Sequence, residues 1–266
     1  MSDWTLTEDD GIAVLTFARP PRNFMSFAAI TELGERLREL GERIDVSVVV
    51  LTGGLPGYFV AHADLDDLER LGRGEPVEGD PRAWNMTLAK IEELPQPVVA
   101  AINGQCWGGG CELALACAAR VAARSATLAQ PEVAAGIIPG AGGTQRLPRL
   151  VGPGRALELV LTARPVAADE AAAIGLVEIV LPDDGFLEAA IDWARGIASQ
   201  PRSALVAAKR AVIDGLRLPL SEGLRLEAQL FAECLSDPAT LAMQDRIRER
   251  YRATPPEVPV RFDGRG

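Results

Sequence analysis

Histidine is almost missing from this sequence: His62 is the only one in 266 residues. Cysteine is scarce too, with Cys106, Cys111, Cys117 and Cys234 and no Cys-x-x-Cys pair. Zinc sites draw on several such ligands at short spacings, so no metal site is expected. Three of the cysteines share one small-residue, apolar stretch, where buried free thiols are the simpler reading. Basic residues are outnumbered, 27 against 37 acidic, giving a formal net charge of −10. That disfavours a nucleic-acid binder, which usually shows a basic patch or stripe. An anionic ligand would have to be met by local backbone dipoles or a few arginines. No apolar run approaches the ~18 residues of a membrane span. The opening "MSDWTLTEDDG" is acidic and lacks the apolar core of a signal peptide, so a cytoplasmic protein is expected. Aromatics make up 5%, which leaves aliphatic side chains and alanine to build the core.

What is present is enough for a full core: 48% hydrophobic and 24% charged residues, as in ordinary globular proteins. "GIAVLTF" (11–17) reads as a strand and "RPPRN" as a turn. Ser26 can cap a helix carrying Phe27, Ile30, Leu33, Leu37 and Leu40 at helical spacing, closed by Gly41. "VSVVVLTG" (46–53) is a continuous apolar run of the kind buried on both faces of a sheet. "ADLDDLERL" reads as a short helix, and 72–82, rich in glycine, proline and acid, as a mobile loop. A helix over 83–94 leads to the strand "VVAAIN" (98–103), then "GQCWGGG" and an apolar helix holding Glu112. Short strands are expected near 119–123 and 126–129, and another at "LVEIV" (176–180) after a helix ended by Gly175. Helices alone follow residue 182, with an extended tail at "PPEVPV". The pattern is an α/β body with an all-α C-terminal piece, a usual place for contacts between copies.

Glu112 follows Gly108, Gly109 and Gly110 and sits on the first turn of its helix, where unpaired N–H groups and the positive dipole end collect. Bare glycine backbone would let a ligand carbonyl approach those donors closely. The bland alternative is that the glycines serve packing, with Glu112 in solvent or capping its own helix. Spacing leaves both open. Glu132, on a loop at a strand end, lies twenty residues on, an antiparallel out-and-back distance. Two carboxylates in one apolar pocket cannot both ionise easily, which supplies an acid and a base from identical side chains. Taken alone, Glu132 is equally a surface loop residue. "GAGGTQ" (140–145) lacks the dinucleotide glycine spacing and reads as a turn into a helix around "GTQRLPRL", whose N-terminus could face the same site. No P-loop and no G-x-S-x-G elbow occurs, so His62 has no nucleophile to serve.

Three stretches resemble the enoyl-CoA hydratase/isomerase (crotonase) family in order and detail: "GYFVAHADLDDL" (57–68), 95–152 around "WGGGCELALA" and "GAGGTQRLPRLVG", and "ALELVLTARPVAADEAAAIGLVEIV" (156–180). The likeness covers most of 10–215. It implies a crotonase-like α/β spiral of repeated ββα units in two roughly perpendicular sheets over residues 1–200. It also implies a helical oligomerisation region over 201–266 that builds homo-trimers or dimers of trimers. The implied substrate is an acyl-CoA thioester, with no cofactor beyond the coenzyme A it carries. Glu112 and Glu132 match the family's catalytic pair, Ala63 and Gly109 its oxyanion-hole N–H donors, and Gly140 a backbone position that helps hold water. The CoA would bend around Ala61 to Leu65, a stretch that includes His62 and Asp64, with Arg22 as a phosphate contact. Hydration of a trans-2-enoyl-CoA is the activity implied by both glutamates. Double-bond isomerisation through Glu132 alone, and acyl-CoA binding with little turnover, stay open. The chain departs from the family at His62, which replaces a glycine, at Ala118, which replaces an aspartate, and at the bulky Trp107. A left-handed backbone at position 62 would strain the histidine.

Overall fold

The pair Asp10–Gly11, both with positive φ (44° and 75°), turns the chain back on itself at its start. It closes a two-residue hairpin between β1 (Trp4–Asp9) and β2 (Ile12–Phe17). The computed structural model describes residues 2–260, and these divide into two compact units between Ala194 and Arg195. In the first unit the chain continues through β3 (Phe24–Met25), α1 (Phe27–Gly41), β4 (Val48–Gly53), β5 (Gly57–Tyr58), β6 (His62–Ala63) and α2 (Leu65–Gly72). Next come α3 (Ala83–Glu93), β7 (Val98–Ile102), β8 (Gly104–Trp107), α4 (Gly109–Ala116), β9 (Ala119–Ala123) and β10 (Thr127–Ala129). A 3-10 turn (Glu132–Ala135) leads to α5 (Gly143–Val151), α6 (Pro153–Thr162), β11 (Val166–Ala167), α7 (Ala168–Ala173) and β12 (Ile179–Leu181), and α8 (Phe186–Ala198) spans the division.

The main sheet has the order β1-β2-β4-β7-β9-β12, parallel from β2 onward. Val48 to Leu51 and Val98 to Ile102 are wholly buried in it, which is why both strands read as unbroken apolar runs. A second sheet, β11-β10-β8-β5, and the pair β3–β6 are built from short strands. The architecture is mixed α/β with several sheets, as expected. Helix α1 begins where Ser26 Oγ accepts Ala29 N–H (3.1 Å), and Phe27, Ile30, Leu33, Leu37 and Leu40 are all buried. Asn23 fixes the turn ahead of it. It is fully buried with φ 55°, donates Nδ2–H to Phe17 O (3.0 Å) and Phe59 O (2.9 Å), and accepts Arg19 N–H (2.8 Å).

Three local expectations change. β1 was not expected, because only Trp4 of its six residues is buried and no alternation marks it as a strand. β8 was read as part of a glycine connection. It is a strand because Gly104 lets β5 come close: a Cβ there would lie 2.1 Å from Gly57 backbone. The "PPEVPV" tail contains a turn, with Val258 N–H on Pro255 O (2.9 Å), instead of running extended. In the second unit α9 (Arg202–Gly215) and α10 (Leu220–Leu235) pack as a hairpin, followed by α11 (Pro238–Ala253), whose first turn is capped by Asp237.

Candidate active site

β8 and β10 lie side by side and run the same way, Trp107 opposite Ala129. Whatever follows each strand therefore leaves the sheet at the same end. Gly108 to Glu112 follow β8, and Pro131 and Glu132 follow β10. The expected antiparallel return is thus replaced by a parallel one. The intervening β9 belongs to the main sheet, so the chain crosses to that sheet and comes back. Both glutamates line one cavity of about 570 Å³, walled mainly by apolar side chains that include Phe27, Leu68, Trp84, Trp107 and Ile138.

Glu112 is 3% exposed. Its Oε1 accepts two backbone N–H groups, from Ala141 and Gly143, each at 2.7 Å. So it caps a helix, but that of α5 and not its own. Burial raises its pKa, and the two N–H donors and the Arg146 charge offset the rise only in part. The glycine turn ahead of α5 does face the site, as its sequence allowed.

Glu132 is placed on the 3-10 turn, with both carboxylate oxygens buried and without a hydrogen-bond partner. Its pKa is pushed up to about 7, chiefly by burial and further by the Glu112 charge, against a pull from its own backbone N–H, which lies outside hydrogen-bond geometry. One carboxylate is therefore held by donors while its neighbour has none, an arrangement that splits two like groups into a base and an acid.

The glycine run packs closely and also lines the cavity. Gly108 has φ 52°, and a Cβ on it would meet Glu132 Oε1 at 3.4 Å and His62 Cβ at 3.3 Å. Gly110 is pressed against backbone, with a Cβ 2.0 Å from Val60 O. Gly109 opens α4, so its N–H has no partner within the helix, and it lines the cavity beneath the Trp84 ring.

His62, Ala63, Leu65, Gly109, Glu112, Glu132 and Gly140 are brought together on the cavity wall; Ala61, Asp64 and Arg22 are not on it. Ala61 is sealed inside, its N–H on Asn23 O (3.1 Å). The Asp64 carboxylate caps α2 and ion-pairs with Arg19, so it serves the turn itself. Arg22 is exposed. The strain foreseen for His62 does not arise: the left-handed non-glycine residues among those described are Asp10, Asn23 and Ala163. His62 lies in β6 opposite Phe24, stacks on that ring (centroids 4.3 Å apart) and donates Nδ1–H to Ala63 O at 2.7 Å. Trp107 braces the wall through Nε1–H to Thr127 Oγ1 (3.0 Å). Ala118 is exposed. Residues that sequence reasoning passed over are Trp84, Gln130 and Arg146. Only the "GGTQR" run offered a signal for the last.

No group of His, Cys, Asp and Glu suited to a metal occurs among the described residues, and no helix among them is long and apolar enough to cross a membrane. The sequence profile of the enoyl-CoA hydratase/isomerase family matches residues 7–244. A short-chain-enoyl-CoA hydratase of Clostridium acetobutylicum is 37% identical over 257 residues, covering 93% of this chain and 97% of that protein. A crotonyl-CoA hydratase of Syntrophomonas wolfei is 37% identical over 232 residues, 87% and 89% of the two chains. The crystal structure of enoyl-CoA hydratase from Bacillus anthracis superposes with a TM-score of 0.86 at 39% identity, covering 93% of this chain and 96% of that one. The chain belongs to the enoyl-CoA hydratase/isomerase family. Within it, this is an enzyme of the hydratase type, a lyase.

Proposed function

We propose that this enzyme adds water across the double bond of a trans-2-enoyl-CoA to give the 3-hydroxyacyl-CoA. The observation that carries the reading is a single apolar cavity holding two carboxylates in opposite states, Glu112 with two N–H donors and Glu132 with none. The thioester oxygen would accept hydrogen bonds from the Ala63 and Gly109 N–H groups, which stabilise the enolate formed as water adds. Ionised Glu112 takes a proton from the water whose oxygen bonds to C3, and protonated Glu132 gives its proton to C2. One carboxylate gains the proton that the other loses, and exchange with solvent restores both. The Gly140 backbone is assigned to the same water. CoA arrives with the substrate past His62, Ala63 and Leu65, with exposed Arg22 as the proposed phosphate contact, and the chemistry needs no further cofactor.

Hydration of crotonyl-CoA, followed by the fading ultraviolet absorbance of the conjugated thioester, is the test. Glu112→Gln is expected to lower kcat about 10²-fold. Full activity in that variant would remove the two-carboxylate mechanism. Double-bond isomerisation is the second reading, favoured by one fact: Glu132, with its pKa near 7, suits taking up and returning the same proton. Turnover of a 3-enoyl-CoA that survives Glu112→Gln would put isomerisation in place of hydration.

The helical C-terminal region is proposed as the contact between copies. Leu216, Leu220 and Phe231 are 81%, 78% and 63% exposed, apolar side chains that a contact between copies would cover. Sedimentation equilibrium should give three or six chains, and a monomer at micromolar concentration would reject the assignment.

A further inference from the structure

Glu112 is held by a turn, and the turn is held by something else. Residues 140–143 present the Ala141 and Gly143 N–H groups to Glu112 Oε1. On one side of this turn lies the Arg146 guanidinium. Its Nη1 donates to Ala141 O (2.9 Å), and it covers Gly142 so closely that a Cβ there would lie 2.2 Å from Nη1. Against Gly143 lies the Gln130 amide, with a Cβ on Gly143 meeting its Oε1 at 1.7 Å. Gln130 Nε2 in turn donates to Gly108 O (3.1 Å), in the glycine run that precedes Glu112. Arg146 is itself anchored: its Nε donates to Glu92 Oε1 of α3 at 2.6 Å, and both side chains are largely buried.

We propose that Arg146, anchored on Glu92, is a positioning residue for Glu112, clamping the 140–143 turn and holding its carboxylate ready to accept a proton. Arg146 touches neither the carboxylate nor the cavity, and acts through the Ala141 peptide and through its charge. A planar fork suits both tasks, because it can bond Glu92 and the Ala141 carbonyl together while remaining charged. The charged or titratable groups around Glu112 are Glu132 on the 3-10 turn, His62 on β6, and Arg146 and Glu92 behind the turn. Among these Arg146 is the permanent cation, and its charge opposes the effect of burial on Glu112.

The inference rests on Glu112 acting as the base only for its kinetic consequence, so the deciding measurement does not use activity. Full-length protein labelled at glutamate Cδ is titrated by carbon NMR, with Glu112→Gln identifying the Glu112 signal. Arg146→Gln should move the Glu112 midpoint upward by about one pH unit, the size expected on removing a nearby opposite charge. Arg146→Lys keeps the charge and loses the fork. Its midpoint should stay close to wild type while kcat falls about tenfold with little change in KM. An unmoved Glu112 midpoint in folded Arg146→Gln, even with a lowered Tm, overturns the proposal and leaves Arg146 a structural ion pair. If Arg146→Gln does not fold, wild-type kcat in Arg146→Lys overturns the clamp. If the midpoint moves and the acid limb of the kcat/KM profile fails to follow it, the Arg146 inference stands and the role of Glu112 as base falls.

Discussion

Glu132→Gln is expected to lower crotonyl-CoA hydration about 10³-fold and, in the same molecule, to remove a pH dependence of stability. The first effect follows from chemistry: an amide cannot supply the proton that C2 needs. The second follows from burial. Below about pH 4.5, the value of an unperturbed glutamate, Glu132 is protonated in the folded and unfolded chain alike and has no linkage effect. Between there and about 7 the unfolded chain releases its proton while the folded chain keeps it, so stability falls as pH rises. Above 7 the loss is complete. Thermal melts at roughly pH 5 and pH 8 should therefore show a larger drop for wild type than for the variant. Equal drops would mean that Glu132 is not desolvated. The same raised value sets the kinetics. Hydration, which uses the protonated acid, should lose kcat/KM as pH climbs through about 7, and dehydration should lose it in parallel, because the ratio of the two is the pH-independent equilibrium constant.

Gly110→Ala is expected to destabilise the protein by about 3 kcal/mol, the upper end of the usual cost of overpacking, and to cut turnover by about 10²-fold. The added methyl would sit 2.0 Å from Val60 O and 2.8 Å from its carbonyl carbon. Those are backbone atoms, with no side chain to swing aside. Relief requires the start of α4 to move away from the segment that leads into β6, which carries Ala63. The two proposed oxyanion donors, Ala63 and Gly109, would part together. Gly154→Ala in α6 is the control, since nothing lies within 4 Å of its Cβ position and the change should stay within about 1 kcal/mol of neutral. Chemical denaturation measures both, and near-neutral stability in Gly110→Ala would refute the close packing.

Much of this was legible in the residues. The spacing of Phe27, Ile30, Leu33, Leu37 and Leu40 behind Ser26 specified α1 down to its cap. The unbroken run at 46–53 announced a strand covered on both faces, and 98–103 read as a strand as well. Glu112 and Glu132 were singled out by residue type and by the company of glycine and proline. What was not legible was non-local. Parallel pairing of β8 with β10 depends on β9 joining a different sheet, and nothing in the nineteen intervening residues encodes that choice. The partners of Glu112 are backbone groups at 141 and 143, which leave no chemical mark on a sequence. Arg146 was hidden for the same reason, because its importance lies in what it rests upon. His62 misled in the opposite direction: its identity suggested strain, while pairing with β3 gives it ordinary extended backbone.

The placement of the tryptophans has an optical consequence. Trp84 and Trp107 form part of the cavity wall, whereas Trp4 is sealed in the core against Phe17. An acyl group entering the cavity displaces water from beside two of the four indoles and leaves the core indole untouched. The protein thus carries a built-in gauge of its own occupancy. Its intrinsic emission can report ligand entry separately from turnover, even in variants whose chemistry has been switched off.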